Sequence, residues 1–316
     1  MAAASPSRRR LLAAAGRVAL SAGAVIAALA VTEVGLRVLG LGHPILYDNR
    51  ATYGYRPLPD QSRRRLLGAR VHVNGLGLRG PDAPPEALRL LFLGDSVTWG
   101  GSYVDDRDLF ATVAAGVVAE RLGTRVPAVV AEDAGVNGWG PENILALVEE
   151  HGGFGSRAWV LTVLEDDFRR QKTRIGEVPY FNVAPSTALE ELLVLAAYRI
   201  VTAYRTPKPD SDLARIAAEN VDACSRIFAA AGRAGARLLV VWHPTAPALA
   251  GWEPEGSKAS LLAAAAAAGV PVLDLGPVYR GAGAGLYSDG LHLTAVGHHV
   301  AGRAIGERLA GILAAE

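Results

Sequence analysis

Short apolar runs alternate with longer amphipathic stretches from residue 88 to the end of the chain. The apolar runs predict strands at 88–93, 125–131, 158–164, 237–242 and 270–274. The amphipathic stretches predict helices at 107–122, 141–150, 187–205, 212–234, 257–268 and 294–314. Strands separated by helices form βαβ units with a parallel sheet, so the pattern predicts an α/β fold.

The carboxyl ends of parallel strands meet at one edge of a sheet, and open α/β sheets bind their ligands there. This edge is predicted to hold Ser96, the loop 133–140, the loop after Leu164 and the segment before the last helix. Residues 165–186 interrupt the alternation, which predicts a lid or an insertion that sets specificity.

The N-terminal region contains one long apolar run. Between residues 11 and 32 the only charge is Arg17, and three arginines at positions 8–10 precede the run. Such a run is long enough for a membrane-spanning helix, with the arginines on the cytoplasmic side. We favour an uncleaved, single-pass anchor in the cell membrane, because the apolar helical pattern continues through residues 34–39. The alternative is a twin-arginine-type export signal cleaved near residues 28–30. Both interpretations place the domain outside the cytoplasm.

Residues 43–86 are rich in Pro, Gly, Arg and Tyr, which predicts an extended lead-in with one short hairpin around Asn74-Gly75. The chain therefore divides into a signal-anchor segment at 1–40, a lead-in at 41–87 and a domain at 88–316.

Composition and charge remove several function classes. The chain is 50% hydrophobic and 20% charged, which is typical of a globular protein. Its 32 basic and 31 acidic residues nearly balance, and four of the basic residues are arginines within the first 17, so the rest of the chain is net negative. That balance argues against nucleic acid as a partner. Cys224 is the single cysteine, which excludes an intrachain disulfide and a cysteine metal cluster.

The predicted strand 88–93 ends at Gly94-Asp95-Ser96. One interpretation is an ordinary strand-to-helix turn, where these residue types are common. The other is that the strand presents Ser96 as a nucleophile, which needs a base and a group that orients the base. Asp289 stands three residues before His292, a spacing that lets the carboxylate reach one imidazole nitrogen while the other faces the cleft. A lipase-like elbow requires Gly-x-Ser-x-Gly, and position 98 is Thr98, so that class is excluded.

These motifs resemble the SGNH/GDSL hydrolases, a superfamily of serine esterases and acyltransferases. The resemblance covers about residues 88–312, with matching blocks at 94–100, 135–140 and 289–292. It implies a flavodoxin-like, three-layer α/β/α fold with a parallel sheet. With the lead-in and the N-terminal hydrophobic helix, the chain is similar to membrane-anchored bacterial members.

The resemblance also implies a role for each matched residue. Ser96 is expected to attack an acyl carbon, His292 to act as general base and Asp289 to orient the imidazole. The backbone N–H groups of Ser96 and Gly138 are expected to stabilise the oxyanion. No cofactor and no metal are implied, and the expected substrate is an acyl ester or an O-acylated carbohydrate such as an envelope glycan.

The third block departs from the family pattern. Asp166, in the segment LTVLEDDF, stands where the family has an oxyanion-binding asparagine, and Asp167 stands at the family's aspartate. An ionised carboxylate donates no hydrogen bond and repels an oxyanion. Three outcomes are open: Asp166 is protonated, it points away while a donor such as Asn137 substitutes, or the enzyme is weak or inactive. A hard cation held by Glu165, Asp166 and Asp167 is the less favoured alternative, since solvated acids often follow a strand.

The remaining polar and aromatic candidates have structural explanations. Trp99 and Trp139 fit a pocket wall or the core equally well, while His243, His298 and His299 are expected to be structural or surface residues. Arg79 either anchors the lead-in to the domain or, by default, is a solvated loop arginine. Two functions remain. The first is an exported, membrane-anchored esterase or O-acyltransferase, and the second is a non-catalytic carbohydrate-binding or assembly protein that keeps the fold.

Overall fold

The computed structural model describes residues 6–50, 52–175, 181–203, 210–252 and 256–315. Four short strands of the lead-in come first: β1 (Tyr47–Arg50), β2 (Gly54–Pro57), β3 (Gln61–Arg64) and β4 (Arg70–Val73). Five strands of the main sheet follow: β5 (Leu88–Leu93), β6 (Val129–Asp133), β7 (Ala158–Val163), β8 (Arg237–Trp242) and β9 (Val272–Asp274). The main sheet is parallel, with strand order β6-β5-β7-β8-β9.

Ten α-helices lie in the described residues. They are α1 (Pro6–Val38), α2 (Ser96–Trp99), α3 (Phe110–Leu122), α4 (Pro141–His151), α5 (Ala188–Ala203), α6 (Asp210–Arg233), α7 (Ala246–Leu249), α8 (Ser257–Ala267), α9 (Gly276–Ala282) and α10 (Ala295–Ala314). One apolar cluster joins the sheet to α3 and α10, and a second joins it to α4, α6 and α8. Helices therefore cover the sheet on both sides, and the predicted α/β fold with a parallel sheet and an N-terminal apolar helix is confirmed.

The central strands are apolar because both of their faces are covered. Every residue of β7 is buried, as are the last four of β5, and a strand enclosed by two helical layers needs a continuous apolar run. The predicted bounds of β5 and β8 coincide with the structure. β6 begins later than predicted, at Val129, because a 3₁₀ turn occupies Gly123–Arg125.

The lead-in contains two antiparallel hairpins, β1–β2 and β3–β4, instead of the single hairpin predicted at Asn74-Gly75. At Asn74 the chain makes a tight loop, because the Asn74 side chain accepts hydrogen bonds from the N–H groups of Leu76 and Leu78, each at 3.0 Å. This loop brings Arg79 beside Val73 and Asp133, which attaches the lead-in to the edge strand β6.

Arg79 is buried, which corrects the expectation of a solvated loop arginine. Its Nε lies 2.7 Å from Asp106 Oδ1, and its two Nη atoms donate to the carbonyls of Trp99, Gly101 and Val104. The guanidinium also stacks 5.0 Å from the Trp99 ring centroid. A buried cation needs such complete pairing, so Arg79 fixes the lead-in against the segment that follows Ser96.

Helix α1 extends away from the sheet. Its segment Leu12–Val38 has a mean hydropathy of 1.9 and none of it is buried inside the protein, and it is long and apolar enough to cross a membrane. The predicted lid or insertion at 165–186 begins with a 3₁₀ turn at Glu165–Arg169, and its residues 176–180 lie outside the described part of the chain.

Candidate active site

Ser96 lies at the carboxyl end of the central strand β5. Asp95 caps the short helix α2, because its Oδ1 accepts the Val97 N–H at 2.8 Å, and Ser96 is the first residue of that helix. The turn requires glycine at position 94, since a Cβ there would lie 2.0 Å from Thr98 Oγ1 and 2.9 Å from the Thr162 carbonyl. Strand and turn together hold Ser96 at the edge of the sheet.

The loop before α10 holds Asp289 and His292. Asp289 Oδ1 accepts the backbone N–H groups of Leu291 and His292 at 2.8 and 2.7 Å, and Asp289 Oδ2 lies 2.8 Å from His292 Nδ1. Partial burial acts to raise the pKa of Asp289, but the hydrogen bonds from the His292 backbone and imidazole outweigh it and lower this pKa. The carboxylate is therefore stabilised in its ionised form, which orients the imidazole.

The fold brings Ser96 to His292 across 196 positions of sequence, with Ser96 Oγ 2.9 Å from His292 Nε2. The serine hydroxyl, the imidazole and the carboxylate of Asp289 thus form one hydrogen-bonded chain. In this geometry His292 can accept the serine proton while Asp289 faces the opposite ring nitrogen.

The glycine-containing block 135–140 packs directly against the nucleophile turn. The Val136 N–H donates to the Gly94 carbonyl at 3.2 Å, and a Cβ on Gly135 would lie 2.6 Å from the backbone nitrogen of Trp99. Gly138 has a φ of 78°, in the left-handed region that favours glycine, and its carbonyl accepts the Thr173 hydroxyl at 2.6 Å. Within the described residues the Gly138 N–H donates to no other group, so it is available to a ligand.

Asp166 and Asp167 lie in different surroundings. Asp167 is buried, accepts the Leu164 N–H at 3.1 Å and pairs with Arg170 at 2.7 Å. Burial, followed by the charge of Asp95, raises the pKa of Asp167 well above its usual value. Asp166 is exposed and lines the cleft beside His292.

Arg170 joins the three loops of the site, a role that sequence reasoning missed. Its Nη1 lies 2.8 Å from Asp95 Oδ2, 2.7 Å from Asp167 Oδ1 and 3.0 Å from the Trp139 carbonyl. Burial acts to lower the pKa of Arg170, but the carboxylates of Asp167 and Asp95 outweigh it and raise this pKa. The position of Arg170, three residues after Asp167, was the only sequence signal, and such i,i+3 pairs are common.

A cleft of about 330 Å³ opens beside His292. Its walls include two tryptophans, Trp242 and Trp252, and, besides Asp289, the charged residues Glu165, Asp166 and Lys258. Trp252 is 65% exposed, so most of its ring is available to a ligand. Glu165 accepts hydrogen bonds from Ser257, and burial raises the pKa of Glu165.

The other sequence candidates make structural contacts, and His243 also forms part of the cleft wall. Trp99 and Trp139 are fully buried in the core, so they line no open pocket. His243 lies between Tyr279 and the Leu291 carbonyl, each at 3.1 Å, and burial lowers its pKa to about 4, which keeps it neutral. His298 is buried against Phe110, and His299 pairs with Asp108 at the surface.

No protein-family model matches the chain, and no curated protein matches it. Solved structures that are similar to it include a lipase/acylhydrolase from Enterococcus faecalis, at 16% identity and a TM-score of 0.42, covering 71% of this chain and 96% of that one. A member of the lipolytic G-D-S-L family from Veillonella parvula is 10% identical, with a TM-score of 0.39, covering 69% of this chain and 96% of that one. An acetyl xylan esterase is 14% identical, with a TM-score of 0.43, covering 70% of this chain and 99% of that one. Likeness at this level assigns no activity, so the function has to be argued from the residues of the site.

Proposed function

We propose that the protein is a serine hydrolase or acyltransferase that acts on ester bonds. The observation that carries the proposal is the hydrogen-bonded chain from Ser96 Oγ to His292 Nε2, at 2.9 Å, and from His292 Nδ1 to Asp289 Oδ2, at 2.8 Å. A serine in an ordinary strand-to-helix turn needs no imidazole beside it, still less one oriented by a carboxylate.

In the proposed reaction, Ser96 Oγ attacks the acyl carbon while its proton passes to His292 Nε2. The negative charge that forms on the acyl oxygen is stabilised by the backbone N–H groups of Ser96 and Gly138. The ester C–O bond then breaks, and the leaving alkoxide takes the proton from His292. Water or an acceptor hydroxyl attacks the acyl-serine in the second half of the reaction, which gives hydrolysis or acyl transfer.

We infer that the substrate is an O-acylated carbohydrate. The cleft beside His292 presents an exposed tryptophan ring, Trp252, and the carboxylates of Glu165 and Asp166. Aromatic rings pack against the apolar faces of sugars, and carboxylates accept hydrogen bonds from sugar hydroxyls. In this proposal Asp166 contacts the carbohydrate, while the oxyanion is bound by backbone N–H groups and by Asn137.

We further propose that α1 anchors the domain to the outer face of the cell membrane. The segment Leu12–Val38 is apolar and none of it is buried inside the protein, and exposure of so many apolar side chains to water is unfavourable. Insertion of this helix into a bilayer would remove them from water, with the arginines at positions 8–10 on the cytoplasmic side.

The test is the reaction of the purified, full-length protein in detergent with a fluorophosphonate probe, followed by turnover of short-chain aryl esters. We expect the wild-type chain to be labelled at Ser96, and Ser96→Ala to lose both labelling and turnover. Asp289→Asn should retain more activity than Ser96→Ala, since the base remains and only its orientation is lost.

Ser186→Ala is the matched control, because Ser186 is an exposed serine outside the site, and this variant should label normally. Undiminished labelling and turnover in Ser96→Ala would disprove the assignment. A folded wild-type protein that binds carbohydrate but neither labels nor turns over would favour the non-catalytic alternative.

A further inference from the structure

Three elements meet where α1 reaches the domain. They are the end of α1 with the two residues that follow it, 33–40, the tip of the β3–β4 hairpin, Leu66–Gly68, and helix α5. We call these three elements together the base face. None of them belongs to the cleft beside His292.

The Glu33 carboxylate connects α1 to α5. It accepts the backbone N–H groups of Ala188 and Leu189 at 2.8 and 3.1 Å, which are unpaired donors of the first turn of α5. Arg37, one turn further along α1, donates to the same carboxylate at 2.7 Å. The end of α1 therefore serves as the N-terminal cap of α5.

A buried ion pair connects α5 to the hairpin. Arg65 and Glu191 pair with each other, and both are almost completely buried. Arg65 Nη1 also donates to the Gly40 carbonyl at 2.7 Å, and the Gly42 N–H donates to Glu191 at 2.6 Å. These contacts hold the hairpin, the end of α1 and α5 in one fixed arrangement.

The base face exposes large apolar side chains. Leu67, at the tip of the hairpin, is 90% exposed and has a positive φ of 57°, which is uncommon for a leucine. Along α5, Leu193 is 59% exposed, and Leu192, Val194, Ile200 and Val201 are exposed as well. The acids of α5 near these residues, Glu190 and Glu191, are confined to its first turn.

Two arginines stand beside the exposed hairpin tip. Arg63 and Arg64 precede it, and neither has a carboxylate partner within the described part of the chain. Arg70, after the tip, pairs with Asp105, as does Arg107. These two guanidinium groups, which have no carboxylate partner among the described residues, thus leave positive charge next to exposed leucine, a combination that suits anionic headgroups above an apolar layer.

We infer that the base face is a docking surface for an anionic phospholipid bilayer. Leu67 and the apolar side chains of α5 insert at the level of the headgroups, and Arg63 and Arg64 bind lipid phosphates. The bilayer is favoured over a protein partner because the base face is continuous with α1, whose apolar segment is not buried inside the protein. The inference rests on the proposed anchor. With the base face bound to lipid, the domain has a fixed orientation on the membrane, whereas α1 alone would leave it free to rotate.

The experiment places a fluorophore that is sensitive to polarity on single added cysteines of the full-length chain in phosphatidylcholine/phosphatidylglycerol vesicles. The variants are Leu67→Cys and Leu193→Cys, with Val296→Cys as the matched control, since Val296 is 60% exposed and belongs to α10, which is not part of the base face. Cys224 is buried, so the wild-type chain serves as the unlabelled reference. Nitroxide-bearing lipids report contact of each fluorophore with the bilayer.

We expect quenching at positions 67 and 193 that is at least about twofold greater than at position 296. Replacing Arg63 and Arg64 by glutamine should reduce quenching at position 67, and vesicles of phosphatidylcholine alone should do the same. Equal, weak quenching at all three positions would disprove the inference. A fluorophore at position 193 could instead report an apolar environment without being quenched by nitroxide lipids. If that signal disappears when the protein is diluted among vesicles, a second copy of the chain covers α5, and the inference is overturned.

A fourth fluorophore position, Leu20→Cys in α1, separates the inference from the anchor on which it rests. Quenching at position 20 without quenching at positions 67 and 193 would refute the docking surface and leave the anchor standing. Labelling of Ser96 by fluorophosphonate does not depend on either result, so the proposed reaction is tested separately.

Discussion

Arg170 holds three separate loops of the site together through hydrogen bonds. Its guanidinium contacts Asp95 beside the nucleophile, Asp167 after the third strand of the sheet and the Trp139 carbonyl in the glycine-containing block. Two buried carboxylates without this cation would repel each other, and each would lose a charged hydrogen bond.

We therefore expect Arg170→Gln to lower the free energy of unfolding by about 3 kcal/mol and to reduce turnover. Because burial and Asp95 raise the pKa of Asp167, this carboxyl group takes up a proton more readily at low pH. A protonated Asp167 needs no counter-charge, so the loss of stability should be smaller at mildly acidic than at mildly alkaline pH.

Arg226→Gln is the matched control, since Arg226 pairs with Glu149 at 2.7 Å on the surface. We expect it to change stability by less than about 1 kcal/mol. Chemical denaturation in detergent measures both variants, and equal losses for the two arginines would contradict the role given to Arg170.

The charge of Asp166 affects the reaction only if this carboxylate lies close to the oxyanion. If Asp166 occupied the oxyanion pocket, Asp166→Asn would raise turnover and broaden the pH optimum, because a repelling charge would be removed. The exposed position of Asp166 favours the other outcome. We expect Asp166→Asn to change turnover of a short aryl ester by less than about threefold, since solvent and salt screen an exposed charge.

Asn137→Ala should lower turnover of the same ester, because the block that contains it packs against the nucleophile turn. Steady-state kinetics on both variants decides between the two outcomes. A marked fall in turnover for Asp166→Asn would contradict both, and would give the carboxylate a separate role with the acceptor or a cation.

At the scale of elements, glycines bring α10 into close contact with α3. A Cβ on Gly302 would lie 2.6 Å from Val113 Cβ and 2.8 Å from the Phe110 carbonyl, and Gly306 stands at a similar contact with Val117. The loop with Asp289 and His292 leads into α10, so the separation of α10 from α3 helps to set the distance between His292 and Ser96.

We expect Gly302→Ala to destabilise the protein by about 1–3 kcal/mol, because the added methyl group has to push two helices apart. Gly311→Ala in the same helix is the control, since a Cβ there meets nothing within 4 Å. The control should be neutral or stabilising by up to about 1 kcal/mol, as alanine favours helix over glycine. Unfolding free energies measured side by side would refute the close contact if both variants behaved alike.

At the scale of the whole molecule, the anchor determines where the site operates. We expect a reporter fused after residue 316 to be active only outside the cytoplasm, and the protein to remain in the membrane fraction after alkaline extraction. Reporter activity in the cytoplasm would contradict export. A mature chain that begins at Val31 would contradict the anchor alone and support the cleaved signal.

The sequence determined those features that are encoded locally. β5 and β8 were predicted with the bounds they have, because a buried strand needs an unbroken apolar run of its own. Asp289 and His292 were predicted to pair because three residues of one loop cannot separate them far. The turn at Ser96 was predicted because an apolar run that ends at Gly94-Asp95-Ser96 is typical of a strand-to-helix turn.

The tertiary structure alone decided which charged and apolar residues are enclosed. Arg79 and Asp167 are buried while Asp166 is exposed, although nothing in their immediate sequence distinguishes an enclosed charge from a solvated one. The predicted helix at 187–205 forms α5, but its sequence did not show that several of its large apolar side chains remain exposed beside α1. Burial depends on what the rest of the chain places around a residue, and here those neighbours lie tens to hundreds of positions away, as Ser96 and His292 do.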